Sequence, residues 1–266
     1  MPGAAPLIRA TLIGASGRMG QALLRAAPGF ADLIITGAIA SAESLALGRD
    51  AGELAGTGPM NLKVTSDLPA ALAQADVALD FSSPLATAGN LAACRTAGKP
   101  LLLGTTGYAD ALGAELAAAA RDIALLVAPN TSIAVALLTE ITAAAARTLS
   151  GFDIDVLEMH HRSKRDAPSG TALALAAAAR SAREGGRTAA PAGPHAQIGI
   201  ASLRAGDLVG EHTVLFCGPG EQLSLQHRAT DRAIFARGAL TAALWLASAR
   251  PGRYAMRDFL ASKTEA

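Results

Sequence analysis

The stretch LIRATLIGASGRMGQALLRAA, residues 7–27, decides how the first half of the chain folds. It opens with an apolar, β-branched run, Leu7–Ile13, and turns through Gly14-Ala15-Ser16-Gly17-Arg18-Met19-Gly20. It then continues with Ala and Leu at helical spacing to Ala27. A strand that turns on glycine straight into a helix carries the helix's unbonded first amides, and the positive end of its dipole, to the turn. Gly14 permits a tight turn, Gly17 lets backbone N–H groups approach a pyrophosphate, and Gly20 lets the helix pack close on the strand. Ser16 replaces the middle glycine, so the spacing is GxxGxxG. At the first strand-to-helix turn, these residues predict dinucleotide binding, the alternative being a merely structural glycine-rich turn.

Outward from this unit the pattern repeats. Candidate strands at Leu33–Ala40, Leu62–Thr65, Val77–Phe81, Pro100–Leu103 and Ile123–Ala128 alternate with helices near Leu68–Gln74, Pro84–Ala97 and Ala109–Arg121. Alternation of this kind marks a parallel sheet with both faces covered by crossover helices, a doubly wound α/β, Rossmann-like fold. Its ligands belong beyond the carboxyl ends of the strands, in the loops after Ile13, Ala40, Asp80, Leu103 and Ala128. The usual acidic reader of the adenine ribose is expected at the end of the second strand, where this chain has Ser41, with Glu43 two residues on. A hydroxyl neither claims the ribose diol nor repels a 2′-phosphate, so NADPH use, or use of both NADPH and NADH, is expected, with Arg18 as a phosphate partner.

After residue 130 the pattern changes. A long helix from Ile133 to about Thr148 leads to a strand near Phe152–Met159, and strand-like runs follow from Gln197 to Arg228 without helices between them. Consecutive strands suggest antiparallel pairing and a second, α+β domain. The expected organisation is residues 1–130 as the dinucleotide-binding domain, 131–237 as the substrate-binding and oligomerisation domain, and 238–266 returning to the first. Hinges are expected near Asn130 and around Arg228–Arg237. The stretch 183–195 reads as a loop from its Gly and Pro content.

A formal charge of +1, without a basic stripe, argues against nucleic acid as a partner. Apolar runs such as Ile123–Thr139 are broken by Pro129-Asn130, so no membrane span is expected, and the protein reads as cytoplasmic. Cys94 and Cys217 stand far apart without metal spacing and read as small buried hydrophobes.

The chemistry concentrates in EMHHRSKRDAPSGTA, residues 158–172. Neighbouring strand positions point to opposite faces, so His160 and His161 serve one ligand only if the strand ends there. The polar RSKRDAPSG that follows favours such an ending. A helix then starts around Ser169, and its first amides, at Gly170 and Thr171, form a carboxylate socket. An imidazole and a lysine suit proton handling, which singles out His160 and Lys164. Arg162 and Arg165 read as solvent-facing or interfacial, and His195, His212 and His227 as packing or rim residues. The His-His pair has no carboxylate or cysteine at ligand spacing, so no metal site is expected.

On these residues the chain resembles the 4-hydroxy-tetrahydrodipicolinate reductase (dihydrodipicolinate reductase) family of bacterial lysine biosynthesis. The segments GASGRMG, DFSSP, GTTG, APN, EMHHRSKRDAPSGTA, RAGDLVGEHTVLF and GALTAALWL all look like family segments. The resemblance implies NAD(P)H-dependent reduction of a cyclic dicarboxylate, with His160 as proton donor and acceptor, Lys164 as proton donor, His161 as a substrate contact and Gly170-Thr171 as the carboxylate clamp. It implies cofactor contacts at Gly14–Met19, at Gly104, Thr105 and Thr106, and at Ala128, Pro129, Asn130 and Thr131. It also implies a homotetramer built through the sheets of the second domains. Ser83 stands where some members carry arginine, which weakens the case for strong 2′-phosphate binding. Two other readings use the same glycine loop: another two-domain NAD(P)-dependent dehydrogenase of amino acids or imines, and a non-catalytic dinucleotide sensor.

Overall fold

Apolar β-branched runs with small-residue turns yield short strands, and Ala/Leu stretches between them yield the helices that cover both sheet faces. The computed structural model describes residues 6–109, 112–185 and 197–264. They form two compact units, residues 1–132 with 233–266, and residues 133–232.

The first unit holds a seven-stranded sheet. Its strands are β1 Ile8–Ile13, β2 Leu33–Ile39, β3 Val64–Thr65, β4 Val77–Asp80, β5 Leu101–Leu103, β6 Ala124–Val127 and β11 Gly252–Tyr254. Their order is β11-β6-β5-β4-β1-β2-β3, and every pairing is parallel. The helices are α1 Arg18–Ala26, α2 Ala51–Ala55, α3 Leu68–Ala73, α4 Thr87–Thr96, α5 Leu112–Ala119, α8 Ala233–Leu246 and α9 Met256–Thr264. Strand order reverses between β1 and β4, and that is where a doubly wound sheet opens a crevice at its carboxyl edge. The loops after Ile13, Ile39, Asp80, Leu103 and Val127 all emerge along this edge, because the strands run parallel. The core is almost wholly aliphatic, with Leu12, Leu23, Leu79, Leu102 and Leu125 fully buried.

The second unit has α6 Ile133–Thr148, β7 Asp153–His160, α7 Gly170–Glu184, β8 Gly199–Arg204, β9 Gly210–Gly218 and β10 Glu221–Ala229. Its sheet order is β10-β9-β7-β8. Ile154 and Val156 of β7, with Val214 and Phe216 of β9, pack beneath Leu138 of α6 and Leu175 and Ala179 of α7. β9 and β10 form the expected antiparallel hairpin. The sheet is nevertheless mixed, which corrects the antiparallel expectation: β8 runs parallel to β7, since α7 serves as the crossover between them. β8 and β9, though consecutive, lie on opposite sides of β7.

The chain passes between units at Ser132/Ile133 and Arg232/Ala233. The start of α8 therefore belongs to the first unit, ahead of the expected return at residue 238. Most of the loop expected at 183–195, including His195, lies outside the described residues.

Candidate functional site

In the first unit the glycine turn is tight. Gly14 has φ +91°, and a Cβ there would lie 2.5 Å from the Phe81 carbonyl oxygen, while a Cβ on Gly20 would lie 2.2 Å from the Gly14 oxygen. Only glycine fits either place. The N–H groups of Gly14 and Ala15 both donate to Ile39 O at 2.9 Å, and Gly17 N–H donates to Gly14 O at 3.0 Å. The turn thus uses those three amides to hold its own shape, and the Ala15 side chain is fully buried. The first-turn amides of α1, at Arg18 and Met19, lie outside these bonds. Gly17 is the N-cap and brings no side-chain cap, so the start of α1 suits a phosphate, which has acceptors and negative charge.

Along the same edge, Asp80 at the end of β4 is fully buried. It accepts from Ser82 N–H at 2.9 Å, Ser82 Oγ at 2.6 Å, Asn90 Nδ2 at 2.9 Å and Thr105 Oγ1 at 3.1 Å. Gly104 and Thr105 N–H groups donate to its carbonyl at 2.9 and 3.1 Å. Asp80 therefore pins the DFSSP and GTTG loops together. Buried beside it, the Cys94 thiol is pushed up to about 12, by burial first and by the charge of Asp80 second, so it stays a neutral thiol. Further along, Asn130 Oδ1 accepts from Ser132 N–H at 2.9 Å, and Thr131 Oγ1 donates to Phe235 O at 2.7 Å. Ala128 is buried, Pro129 and Thr106 are exposed, and Ser41 and Glu43 sit exposed beyond β2.

The second unit gathers the titratable residues. β7 ends at His160, as the polar run after it suggests. Alternation places Glu158 and His160 on the helix-covered face with Ile154 and Val156. Glu158 is fully buried and bonds through Oε2 to His160 Nδ1. Its Oε1 accepts from Arg204 Nη2 at 2.7 Å and from Ser169 N–H at 3.2 Å. Burial opposes its charge, but hydrogen bonds from Arg204, Ser202 and His160 outweigh burial and hold the carboxyl at about 2. His160 is pulled below the ordinary imidazole value, by burial first, with Glu158 opposing and the Lys164 and Arg204 charges assisting.

Lys164 Nζ is held by both Asp166 carboxylate oxygens at 2.8 Å. His161, half-buried just past the strand, pairs through Nδ1 with Ser163 Oγ at 2.8 Å. Ser169 caps α7, accepting from Ala172 N–H at 3.2 Å, so Gly170 and Thr171 form the helix's first turn, as the sequence suggests. Arg162 and Arg165 are exposed.

His212, read with His195 and His227 as a packing or rim residue, is packed inside this network. Paired with Glu158 across β7 and β9, it is buried, its ring stands edge-on to His160 at 5.1 Å, and its Nε2 meets Ser169 Oγ at 2.9 Å. It is pushed down to about 4 by burial first, then by His160, so it is neutral at working pH. Glu158 and Arg204 were missed. Glu158 was readable two residues before His160 on one strand face; Arg204 comes near only through the parallel β7–β8 pairing.

Ligand atoms of Glu158, His160 and His212 lie within 4.8 Å of one another, which corrects the expectation that no carboxylate stands at ligand spacing: Glu158 does, two residues before His160, and His212 joins through the β7–β9 pairing. Of these atoms, the Glu158 carboxylate is engaged by His160, Arg204 and Ser169, and His212 Nε2 meets Ser169 Oγ. Arg204 supplies the cation that balances Glu158.

A doubly wound dinucleotide-binding unit joined to a mixed-sheet unit with buried proton-handling groups defines a two-unit NAD(P)-dependent oxidoreductase. Residues 8–131 match the family model "Dihydrodipicolinate reductase, N-terminus" and residues 134–260 the model "Dihydrodipicolinate reductase, C-terminus". A relative from Alkalilimnicola ehrlichii named 4-hydroxy-tetrahydrodipicolinate reductase is 46% identical over 95% of this chain and 98% of its own. One of the same name from Anaeromyxobacter dehalogenans is 44% identical over 96% and 98%. A dipicolinate-bound dihydrodipicolinate reductase from Paenisporosarcina sp. TG-14 shares the fold, with TM-score 0.77 at 23% identity over 94% of this chain and 97% of that one. The chain belongs to the dihydrodipicolinate reductase family.

Proposed function

We infer that this chain reduces 4-hydroxy-tetrahydrodipicolinate to tetrahydrodipicolinate with NADPH or NADH, in diaminopimelate and lysine biosynthesis. Substrate, NAD(P)H and a proton give tetrahydrodipicolinate, NAD(P)+ and water. The observation that carries this reading is the Glu158–His160 pair at the end of β7, in one polar network with the start of α7 and, through Arg204, the loop of Lys164. When bound, the reduced nicotinamide supplies the hydride. The glycine turn fits that group, because the N-cap residue Gly17 carries no side chain and α1 starts without a side-chain cap. The start of α1, with the Gly104–Thr106 and Ala128–Thr131 loops, binds and orients it.

The chain's own residues handle the substrate. The first turn of α7 at Gly170 and Thr171 binds one carboxylate, with Lys164 and His161 as further donors. Lys164 and His160 deliver and hold the proton, His160 through Nε2 since Nδ1 is engaged by Glu158. Ser41 in place of an acidic reader, with Arg18 exposed at the first position of α1, supports use of both cofactors. Among the described residues no helix is long and apolar enough to cross a membrane, which agrees with a cytoplasmic enzyme. The sheet face away from α6 and α7 carries Leu157, Met159, Leu203 and Leu215, with Leu203 48% exposed. That face supports assembly into a homotetramer, and sedimentation at micromolar protein is expected to give four chains per particle.

The deciding experiment couples the enzyme to dihydrodipicolinate synthase and follows loss of NADPH and NADH absorbance separately. Turnover with both is expected. No oxidation of either refutes the activity, and a preference for NADH above roughly tenfold in kcat/KM refutes the cofactor reading.

A further inference from the structure

We propose that Glu158 and Arg204 are the positioning residues of the proton-handling pair: Glu158 fixes His160 by Nδ1 and leaves Nε2 as the working nitrogen, while Arg204 locks Glu158 and the loop that bears Lys164. The proposal rests on the reading of His160 and Lys164 given above. It starts from strand geometry. Glu158 and His160 lie two apart on β7 and share a face, and Arg204 of β8 is directly paired with His160. A carboxylate accepting from Nδ1–H selects the tautomer whose lone pair is on Nε2. That nitrogen faces Gly210, where a Cβ would stand 2.9 Å from it, so glycine at the start of β9 keeps it uncovered.

Arg204 reaches both partners at one remove. Its Nη2 donates to Glu158 Oε1 at 2.7 Å and to the Asp166 carbonyl at 2.6 Å, and the Asp166 carboxylate holds Lys164. Ser169 N–H on Glu158 ties the same carboxylate to the start of α7. One buried ion pair thereby fixes three pieces of the proposed site in common register: imidazole, lysine loop and helix start. The titratable and charged groups facing His160 among the described residues are Glu158 on its own strand, Arg204 on β8, His212 on β9 and Lys164 on the loop. Glu158 favours a proton on His160, whereas Arg204 and Lys164 oppose it.

The test combines nitrogen-15 NMR of the His160 ring, assigned by comparison with His160→Gln, with pH profiles of kcat and KM for Glu158→Gln, Arg204→Gln and Arg204→Lys. The wild-type ring is expected to carry its proton on Nδ1. Glu158→Gln should lower kcat roughly 10- to 100-fold with KM changed less than about threefold, the scale found for partners that orient a reactive group. The kcat limb belonging to His160 should move to lower pH in Glu158→Gln and to higher pH in Arg204→Gln, with Arg204→Lys recovering most of the rate. A purely structural role would depress Tm and rate without moving the limbs in opposite directions. A wild-type ring protonated on Nε2, or limbs that move together, overturns the proposal; so do Gln variants that turn over within about threefold of wild type. If Glu158→Gln does not fold, the wild-type tautomer and the Arg204 variants decide. Should wild type reduce no substrate in the coupled assay, the functional reading fails, while the tautomer measurement still tests the contact.

Discussion

Two buried carboxylates organise the two units, and they are satisfied in different ways. Asp80 receives its hydrogen bonds from a backbone amide, two hydroxyls and an amide side chain, all neutral. Glu158 is surrounded by Arg204 and His160, groups that are charged or can become so. Neutral donors fix loop shape without bringing a second charge, which suits the loops proposed above to bind the cofactor. Ionic partners couple position to protonation, which suits a place where a proton must move. Breaking a buried ion pair from one side also leaves an uncompensated charge, so the second arrangement is the more fragile.

The largest effect should come from the ionic side. His160→Gln or Lys164→Ala is expected to lower turnover at least ~10²-fold in the coupled assay, the scale of a lost acid–base group; near-wild-type rates in both would erase the contrast. Next comes Asp80→Ala, which strands its donors. It should lower the unfolding free energy by about 3 kcal/mol in denaturant titration, with the His160 limb of the pH profile unmoved.

Acid should then discriminate the units. His212 folds with its value pushed from 6.5 to about 4, so the unfolded chain binds the proton better. Its stabilisation is whole above 6.5 and lost as pH falls through 4, and Glu158, held at about 2 from 4.5, follows between those values. By linkage the second unit should lose about 2 kcal/mol between pH 7 and pH 5. Unfolding followed by hydrogen exchange in each unit would check this, and equal losses in both would count against the comparison.

Much of this was legible in residue order. The six strands and four helices read in the first half are all present, because apolar runs bounded by turns leave little choice. The helix at Ile133–Thr148 falls where its spacing puts it. α2 and β11 were missed, being too short, at five and three residues, to show a period. For the candidate site, His160, Lys164 and the start of α7 were readable from local chemistry. Partners two residues apart on a strand could have been read but were not. Arg204 and His212 join the network through strand pairings that no linear spacing encodes.

β11 carries a further consequence. It forms the edge of the first sheet beside β6, and α8 covers β4, β5 and β6, yet both are made after the whole second unit. The second unit is thus a guest inserted into a host. On the ribosome the guest emerges complete while the host still waits for its last strand, which inverts the usual order in which amino-terminal domains finish first. Damage to the tail beyond residue 250 should therefore be felt at the nucleotide end of the enzyme, far away along the chain.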